Sequence, residues 1–123
     1  MAKDYKLDKN EYFETLWYIR RYPELKKTYE DISLKSPVSD GSPRGSGTSD
    51  PTAKAASVRF YLSKQIKPVE KGLAKVPKEY RTAVMENIID RKAWPDFADV
   101  TTWKRWKRRF IYFVAMYRRS EIN

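Results

Sequence analysis

The residues best suited to chemistry lie close to the C-terminus, where cationic and aromatic side chains alternate from Trp103 to Phe110. Residues 104–119 contain seven Lys or Arg and no Asp or Glu. Guanidinium and ammonium groups donate hydrogen bonds to guanine O6 and N7 in a major groove, and they neutralise backbone phosphates. This run therefore predicts contact between the chain and a polyanion.

The distribution of charge along the chain favours the same interpretation. The 123 residues include 26 Lys or Arg and 16 Asp or Glu, a net charge of +10. Residues 1–50 contain nine of each sign, whereas residues 51–123 contain seventeen cationic and seven acidic residues. Because the whole excess lies in the second part, that part is expected to bind nucleic acid; a membrane surface is the weaker alternative.

A helix from Thr102 to about Arg119 would separate these side chains at about 100° per residue. Its apolar face, which we expect to be core, would carry Trp103, Trp106, Phe110, Phe113, Val114 and Tyr117. The opposite side would carry Thr101, Arg105, Arg108, Tyr112 and Arg119, with Lys104 and Arg109 on its flanks. The predicted contacts to double-stranded DNA are Thr101, Thr102, Lys104, Arg105, Lys107, Arg108, Arg109 and Tyr112.

The elements around this helix predict how it would be positioned. We expect a short helix over about 95–99, a tight turn at Asp99-Val100-Thr101, and Thr101 as the cap of the long helix. Two helices joined by a short turn form a helix-turn-helix, here over about 95–119, whose second helix enters the major groove. An ordinary solvated face is the competing interpretation, and base stacking by Trp103 or Trp106 is a further one.

The rest of the chain predicts an all-α fold in three parts. Residues 1–35 are expected to form an N-terminal helical arm, with helices over 8–22 and 24–34. Residues 36–51 are rich in Gly, Ser and Pro, which is typical of a linker. Residues 52–123 are expected to form a helical DNA-binding domain.

Particular residues indicate where the helices begin and end. Asp8 precedes Glu11 with the spacing of a capping box. Pro68 is expected to kink or break the helix that starts at Asp50-Pro51, and Gly72 to weaken the next helical piece by roughly 1 kcal/mol relative to Ala. Pro77 should start a helix that reaches Arg91.

Composition excludes several classes of function. The chain has no Cys and no His, so it lacks thiolate nucleophiles, Ser-His-Asp triads and the commonest metal ligands. We expect no catalytic residues, no metal and no cofactor, and therefore no enzyme. The longest apolar run, Phe110 to Tyr117, is far shorter than the roughly 20 residues of a membrane span. Without an apolar signal segment after Met1, the expected location is cytoplasmic.

Three segments resemble a known family. The segment from Asp40 to Thr52, Asp-Gly-Ser-Pro-Arg-Gly-Ser-Gly-Thr-Ser-Asp-Pro-Thr, is similar to a signature of RinA-type transcriptional regulators of Gram-positive phages and prophages. Val-Pro-Lys-Glu-Tyr-Arg at 76–81 resembles a helix entry of the same proteins. Trp-Pro-Asp-Phe-Ala at 94–98, followed by Thr-Trp-Lys-Arg-Trp-Lys-Arg-Arg-Phe-Ile-Tyr from Thr102, resembles their last helices.

The last fifty residues also resemble region four of bacterial sigma factors. In that comparison Pro77 opens the scaffold helices, Phe97 and Ala98 lie in the first helix of the motif, and the recognition helix starts at Thr102. The turn is shorter here than in sigma factors. These resemblances imply a regulator, usually an activator, of phage genes in the bacterial host, which acts on DNA and contacts RNA polymerase.

Other functions fit parts of the pattern. A small terminase subunit, which packages phage DNA, would also combine a helix-turn-helix with helical arms and would assemble into a ring. A non-specific binder of RNA or single strands would need exposed aromatic side chains. The arm around Phe13, Leu16 and Trp17 is a candidate interface for a homo-oligomer. Arg20-Arg21 and Lys26-Lys27 have acids near them in sequence and are expected to be ordinary surface.

Overall fold

The computed structural model describes residues 5–34 and 51–122. Within these ranges it consists of α-helices and contains no β-strand, which confirms the all-α prediction. The predicted linker at 36–50 lies outside the described residues, and Pro51 belongs to a helix. The helices are α1 (Lys9–Arg20), α2 (Tyr22–Leu34), α3 (Pro51–Ala74), α4 (Lys78–Asp90) and α5 (Val100–Ile122).

Helix ends follow from local chemistry. Asp8 precedes α1 in an extended conformation, and its side chain accepts a hydrogen bond of 2.9 Å from the backbone N–H of Glu11. This cap was predicted. Pro77 occupies the N-cap position of α4, and Arg91 ends α4 in the left-handed conformation with φ of 57°. A non-glycine residue adopts this conformation at a cost, but it lets the chain turn sharply after the helix.

Pro68 was expected to kink or break this helix; it lies inside α3 without ending it, so the break into two pieces is wrong. A proline in a helix interior removes one backbone hydrogen bond and crowds the preceding turn. Pro68 is fully buried, and it lies between the buried residues Ile66 and Val69. Apolar burial on both sides of the proline offsets the lost hydrogen bond and keeps the helix continuous to Ala74.

Gly72 marks the closest approach of α3 to α5. A Cβ atom at Gly72 would lie 2.7 Å from Cγ2 of Val114 and 3.2 Å from the Val114 backbone N. Phe110, one turn before Val114, would be 3.5 Å from the same atom. Gly72 therefore has a packing role that compensates for its low helix propensity, because any side chain would push the two helices apart.

The core joins the N-terminal helices to the C-terminal ones, which corrects the interpretation of residues 1–35 as an arm. Leu16 and Ile19 of α1 are buried in the same cluster as residues of the later helices. An apolar stripe buried in a shared core makes α1 part of one folded unit. The other buried members of the cluster are Val69, Val76, Val84, Ile88, Trp103, Phe110, Ile111 and Val114.

A small polar group connects α2 to α3. The Tyr22 hydroxyl and the Lys26 ammonium each donate a hydrogen bond of 2.8 Å to Oε2 of Glu70. Burial alone would raise the pKa of Glu70, but the hydrogen bonds from Lys26 and Tyr22 outweigh it and hold the pKa below its ordinary value. Burial, reinforced by the carboxylate, raises the pKa of Tyr22.

We expect Gly72→Ala to destabilise the protein. Helix propensity alone would favour Ala by up to about 1 kcal/mol. The added methyl meets Val114 at a distance that real Cβ atoms do not adopt, and overpacking of this kind costs roughly 1–3 kcal/mol. Urea unfolding should show a net decrease in the free energy of unfolding. Combining the change with Val114→Ala should recover part of it, and a G72A variant as stable as the wild type would contradict the close contact.

Stability should fall in acid partly through Glu70. Its folded pKa lies below the ordinary 4.5, so its contribution is present above about pH 4.5 and lost as pH falls through the lower folded pKa. The ion pair with Lys26 is partly exposed, so we expect it to contribute less than about 1 kcal/mol to the free energy of unfolding. Urea unfolding between pH 6 and 3 should show a smaller acid loss for Glu70→Gln than for wild type. Asp31→Asn, the control in α2, should keep the wild-type dependence.

Candidate nucleic-acid interface

The candidate interface is built on the connection between α4 and α5, residues 91–99. The left-handed Arg91 starts the connection, and the Asn87 side chain fixes it by donating a hydrogen bond of 2.8 Å to the Lys92 carbonyl. A turn and bend occupy residues 96–98, and α5 begins at Val100. The first turn of α5 closes on Asp99, whose carbonyl accepts from the Trp103 backbone N–H at 3.1 Å.

Two predictions about this connection are corrected. No helix forms over 95–99, and α5 starts before Thr101, so Asp99 rather than Thr101 precedes the helix. The reason is tertiary. The Pro95 carbonyl, which would belong to the first turn of a 95–99 helix, accepts instead from Nε1 of Trp103 at 3.0 Å. The described motif is α4, a nine-residue connection and α5, without the compact turn of the predicted helix-turn-helix.

An aromatic cluster holds this connection against α4 and α5; its members are Tyr80, Trp94, Phe97, Trp103 and Trp106. The Trp94 and Trp103 rings stack with centroids 5.4 Å apart and an interplanar angle of 3°. Tyr80 packs edge-on against Trp103 at 5.1 Å. Stacked and edge-to-face pairs each stabilise a core beyond their buried area. Trp103 is fully buried and cannot stack on a base, which removes it from that alternative.

The start of α5 presents an open cationic stripe: Thr101, Lys104, Arg105 and Arg108. All four side chains are exposed. Within the described parts of the chain none of the three cations forms an ion pair with a carboxylate. The stripe covers eight residues of helix, and its first and last residues are about 10 Å apart along the axis at 1.5 Å per residue. Its cations are therefore free to contact an external anion.

The far end of α5 is different, because acidic residues of α1 neutralise it. Arg118 forms an ion pair with Glu14 at 3.3 Å, and Arg119 pairs with Glu11. The helical pattern of the sequence predicts Arg119 on the same outward face as Arg105 and Arg108. The pairing leaves the positive charge of α5 concentrated in its first half, where no carboxylate of residues 5–34 or 51–122 forms an ion pair with it.

Two of the predicted DNA contacts are covered by the segment before α1. The Tyr5 ring packs edge-on against Tyr112 at 5.4 Å, and the Arg109 guanidinium lies over the Tyr5 ring at 4.7 Å. Arg109 also lies 5.1 Å from the centroid of Trp106. In this arrangement Arg109 and Tyr112 are half-buried and do not join the open stripe.

The remaining predicted contacts, Thr102 and Lys107, are also half-buried. The Lys107 ammonium lies 5.9 Å from the centroid of Trp94. Burial lowers the pKa of Lys107, and the positive charge of Arg20 lowers it further. The structure thus separates the eight predicted residues into an open stripe, a covered pair and two further half-buried residues, of which Lys107 lies against Trp94.

Arg20 is the residue near this surface that sequence reasoning missed. Its Nε donates a hydrogen bond of 2.8 Å to the Ile88 carbonyl in the last turn of α4. The acids close to Arg20 in sequence suggested an ordinary surface residue. The interaction joins residues 68 positions apart, so no local pattern could have indicated it.

Comparisons of the chain with protein-family models, with curated proteins and with solved structures found no match. No helix in residues 5–34 or 51–122 is both long and apolar enough to cross a membrane. The same residues contain no group of three or more acidic side chains placed to hold a metal ion. The geometry of α5 and the sequence motifs are therefore the basis on which a function can be proposed.

Trp103→Phe should loosen the connection that positions α5. The substitution removes the hydrogen bond to the Pro95 carbonyl and part of the stack on Trp94. We expect a loss of about 2–4 kcal/mol in urea unfolding, from an unsatisfied carbonyl and a cavity. Hydrogen exchange should show reduced protection at the start of α5. Trp17→Phe, at an exposed tryptophan, is the matched control, and equal effects of the two would contradict the positioning role of Trp103.

Proposed function

We propose that this chain is a sequence-specific DNA-binding regulator of transcription that contacts duplex DNA through the first half of α5. The observation that carries the proposal is the open stripe of Thr101, Lys104, Arg105 and Arg108. Three exposed cations without carboxylate partners in the described residues lie on two turns of one helix. The aromatic cluster beneath them supplies the rigid support that base contacts require.

The position of the stripe on α5 favours contact with a major groove. Recognition helices contact base edges through residues near their N-terminal ends, and the stripe lies at that end. Arg105 is the proposed base contact, because its planar guanidinium can donate twice to guanine O6 and N7. Lys104 and Arg108, on either side of it along the helix, are proposed phosphate contacts.

The biological setting follows from the family resemblance. RinA-type regulators imply an activator of phage or prophage genes that works in the cytoplasm of the bacterial host. RNA polymerase is the protein partner that the resemblance to sigma region four implies. The chain is proposed as a binding protein rather than an enzyme, with no catalytic group or cofactor in its function.

A second copy of the chain is the further proposed partner. Phe13 and Trp17 lie four residues apart on the outer side of α1 and are 47% and 58% exposed, whereas Leu16 is used in the core. One helix contacts few base pairs, so a dimer with two half-sites would raise specificity. The same exposed pair favours the alternative of a packaging protein such as a small terminase subunit. Light scattering separates the two, because a ring of eight or more copies fits packaging and a monomer or dimer fits regulation.

The test is an anisotropy titration of the wild type and Arg105→Ala. The DNA upstream of the chain's own gene is compared with a scrambled duplex, at about 50 and 200 mM salt. The wild type should prefer the upstream DNA at least a hundredfold, and about this preference should survive the higher salt. R105A should lose roughly 1–3 kcal/mol on the preferred sequence and much less on the scrambled one.

Arg119→Ala is the matched control, because Arg119 is a cation of the same helix that is paired with Glu11. It should leave the preference unchanged. An equal loss of affinity for R105A on both duplexes would reduce Arg105 to a phosphate contact. Equal wild-type binding to both duplexes, collapsing with salt, would overturn sequence-specific regulation.

A further inference from the structure

The C-terminal end of α1 and the first half of α5 both contact the region where α4 ends and the α4–α5 connection begins. Arg20, the last residue of α1, donates through Nε to the Ile88 carbonyl, in the last turn of α4, at 2.8 Å. Lys107 of α5 lies over the ring of Trp94, in the connection and six residues after Ile88. Two cations from helices far apart in sequence therefore contact positions six residues apart in the chain.

Neither cation is neutralised. In the part of the chain that the structure describes, neither Arg20 nor Lys107 forms an ion pair with a carboxylate. Glu86, a carboxylate of α4, is already paired with Lys92 at 3.3 Å. The lowered pKa of Lys107, caused by burial and then by the charge of Arg20, agrees with two like charges close together. Such an arrangement is unfavourable in isolation and becomes favourable when an anion joins it.

Arg20 is held in a defined position, and some of its N–H donors are unused. Its guanidinium lies 5.0 Å from the centroid of Trp17, and its Nε is used by the Ile88 carbonyl. A guanidinium has five N–H donors, of which the terminal nitrogens carry four. Among the described residues no acceptor engages those terminal nitrogens. The planar group is therefore preorganised to donate to the oxygens of a phosphate.

We propose that Arg20 and Lys107 form a phosphate-binding site, which holds a backbone phosphate of the duplex that the open stripe contacts. Lys107 follows Lys104 by three residues on α5, so the site adjoins the stripe on the same helix. This inference rests on the proposed binding of DNA, but not on its sequence specificity. It assigns a DNA contact to α1, outside the α4–α5 motif.

Arg20→Gln tests the site through the salt dependence of binding. Each phosphate contact contributes about 0.9 to the slope of log K against log salt. R20Q should lower that slope by about 0.9 on upstream and scrambled duplexes alike. The loss of affinity between about 50 and 200 mM salt should therefore be about 3.5-fold smaller than for wild type. The preference for one duplex over the other should stay unchanged.

Two further variants control for charge and for folding. Arg20→Lys keeps the charge and should restore most of the slope. Lys64→Gln makes the same change of charge at an exposed residue of α3 and should keep the wild-type slope. If R20Q changes neither slope nor affinity while R105A still loses its preference, the phosphate site is refuted and the proposed function stands. If R105A keeps the full preference and R20Q lowers the slope, the phosphate site stands and Arg105 is refuted as the base contact of the proposed function.

A measurement on the wild type does not depend on whether R20Q folds. The side-chain ammonium of Lys107 can be followed by nitrogen-15 NMR in lysine-labelled protein. Saturating duplex should raise the pKa of Lys107 toward that of an ordinary lysine, and an unchanged resonance would overturn the site. Inorganic pyrophosphate without DNA is the second arm. A saturable response to pyrophosphate with none to duplex would show a site for a free phosphate compound and would also overturn the proposal.

Discussion

The contact between Gly72 and Val114 is the constraint on which the rest of the structure depends. Without a side chain at Gly72, α3 can lie directly against α5, and Cγ2 of Val114 is so close that even a methyl group at Gly72 would not fit without a shift. A glycine in a helix interior weakens that helix, yet the close approach buries Phe110 and Val114 completely. Because this contact fixes which side of α5 faces inward, it also determines which side faces solvent. The position of the open stripe is thus a consequence of packing on the opposite side of the helix.

The two ends of α5 are held by different interactions. This difference lets the first half of the helix be held in place while its cationic side chains stay exposed. The first half rests on stacked and edge-to-face rings around Trp103, a contact that needs no charged side chain. The second half is fastened to α1 by ion pairs with Glu11 and Glu14. Exposed ion pairs contribute little to stability, but they fix which cations have partners. Aromatic packing can therefore hold the start of α5 while its cations stay free.

The helices could be predicted from local sequence patterns. The contacts between residues far apart in the sequence could not. The capping role of Asp8 and the amphipathic pattern of α5 depend on neighbours within one or two turns, and both could be predicted. The turn that replaced a helix at 95–99 depends on Trp103, and the continuity of α3 through Pro68 depends on burial. The covering of Tyr112 by Tyr5 joins opposite ends of the chain. No residue spacing in the sequence indicates these contacts. The sequence therefore predicted which residues could bind DNA, but not which of them are exposed together on one surface.

The net charge of zero in residues 1–50 conceals a separation of charge in space. Along α1 the acids Glu11 and Glu14 come first and Arg20 comes last, and α1 runs against α5 in the opposite direction. The acids therefore reach the end of α5, whereas Arg20 lies against the last turn of α4, where its charge lowers the pKa of Lys107 in the first half of α5 after the larger effect of burial. One helix thus neutralises cations in the second half of α5 and adds a cation near the first half. Fields from clustered cations attract a polyanion more strongly than the same charges spread out. In the proposed function, this arrangement would direct an approaching duplex to the start of α5. Although α1 has no net charge, it would then contribute to binding because its acids and its arginine lie at opposite ends of the helix. A count of its charges alone does not show this.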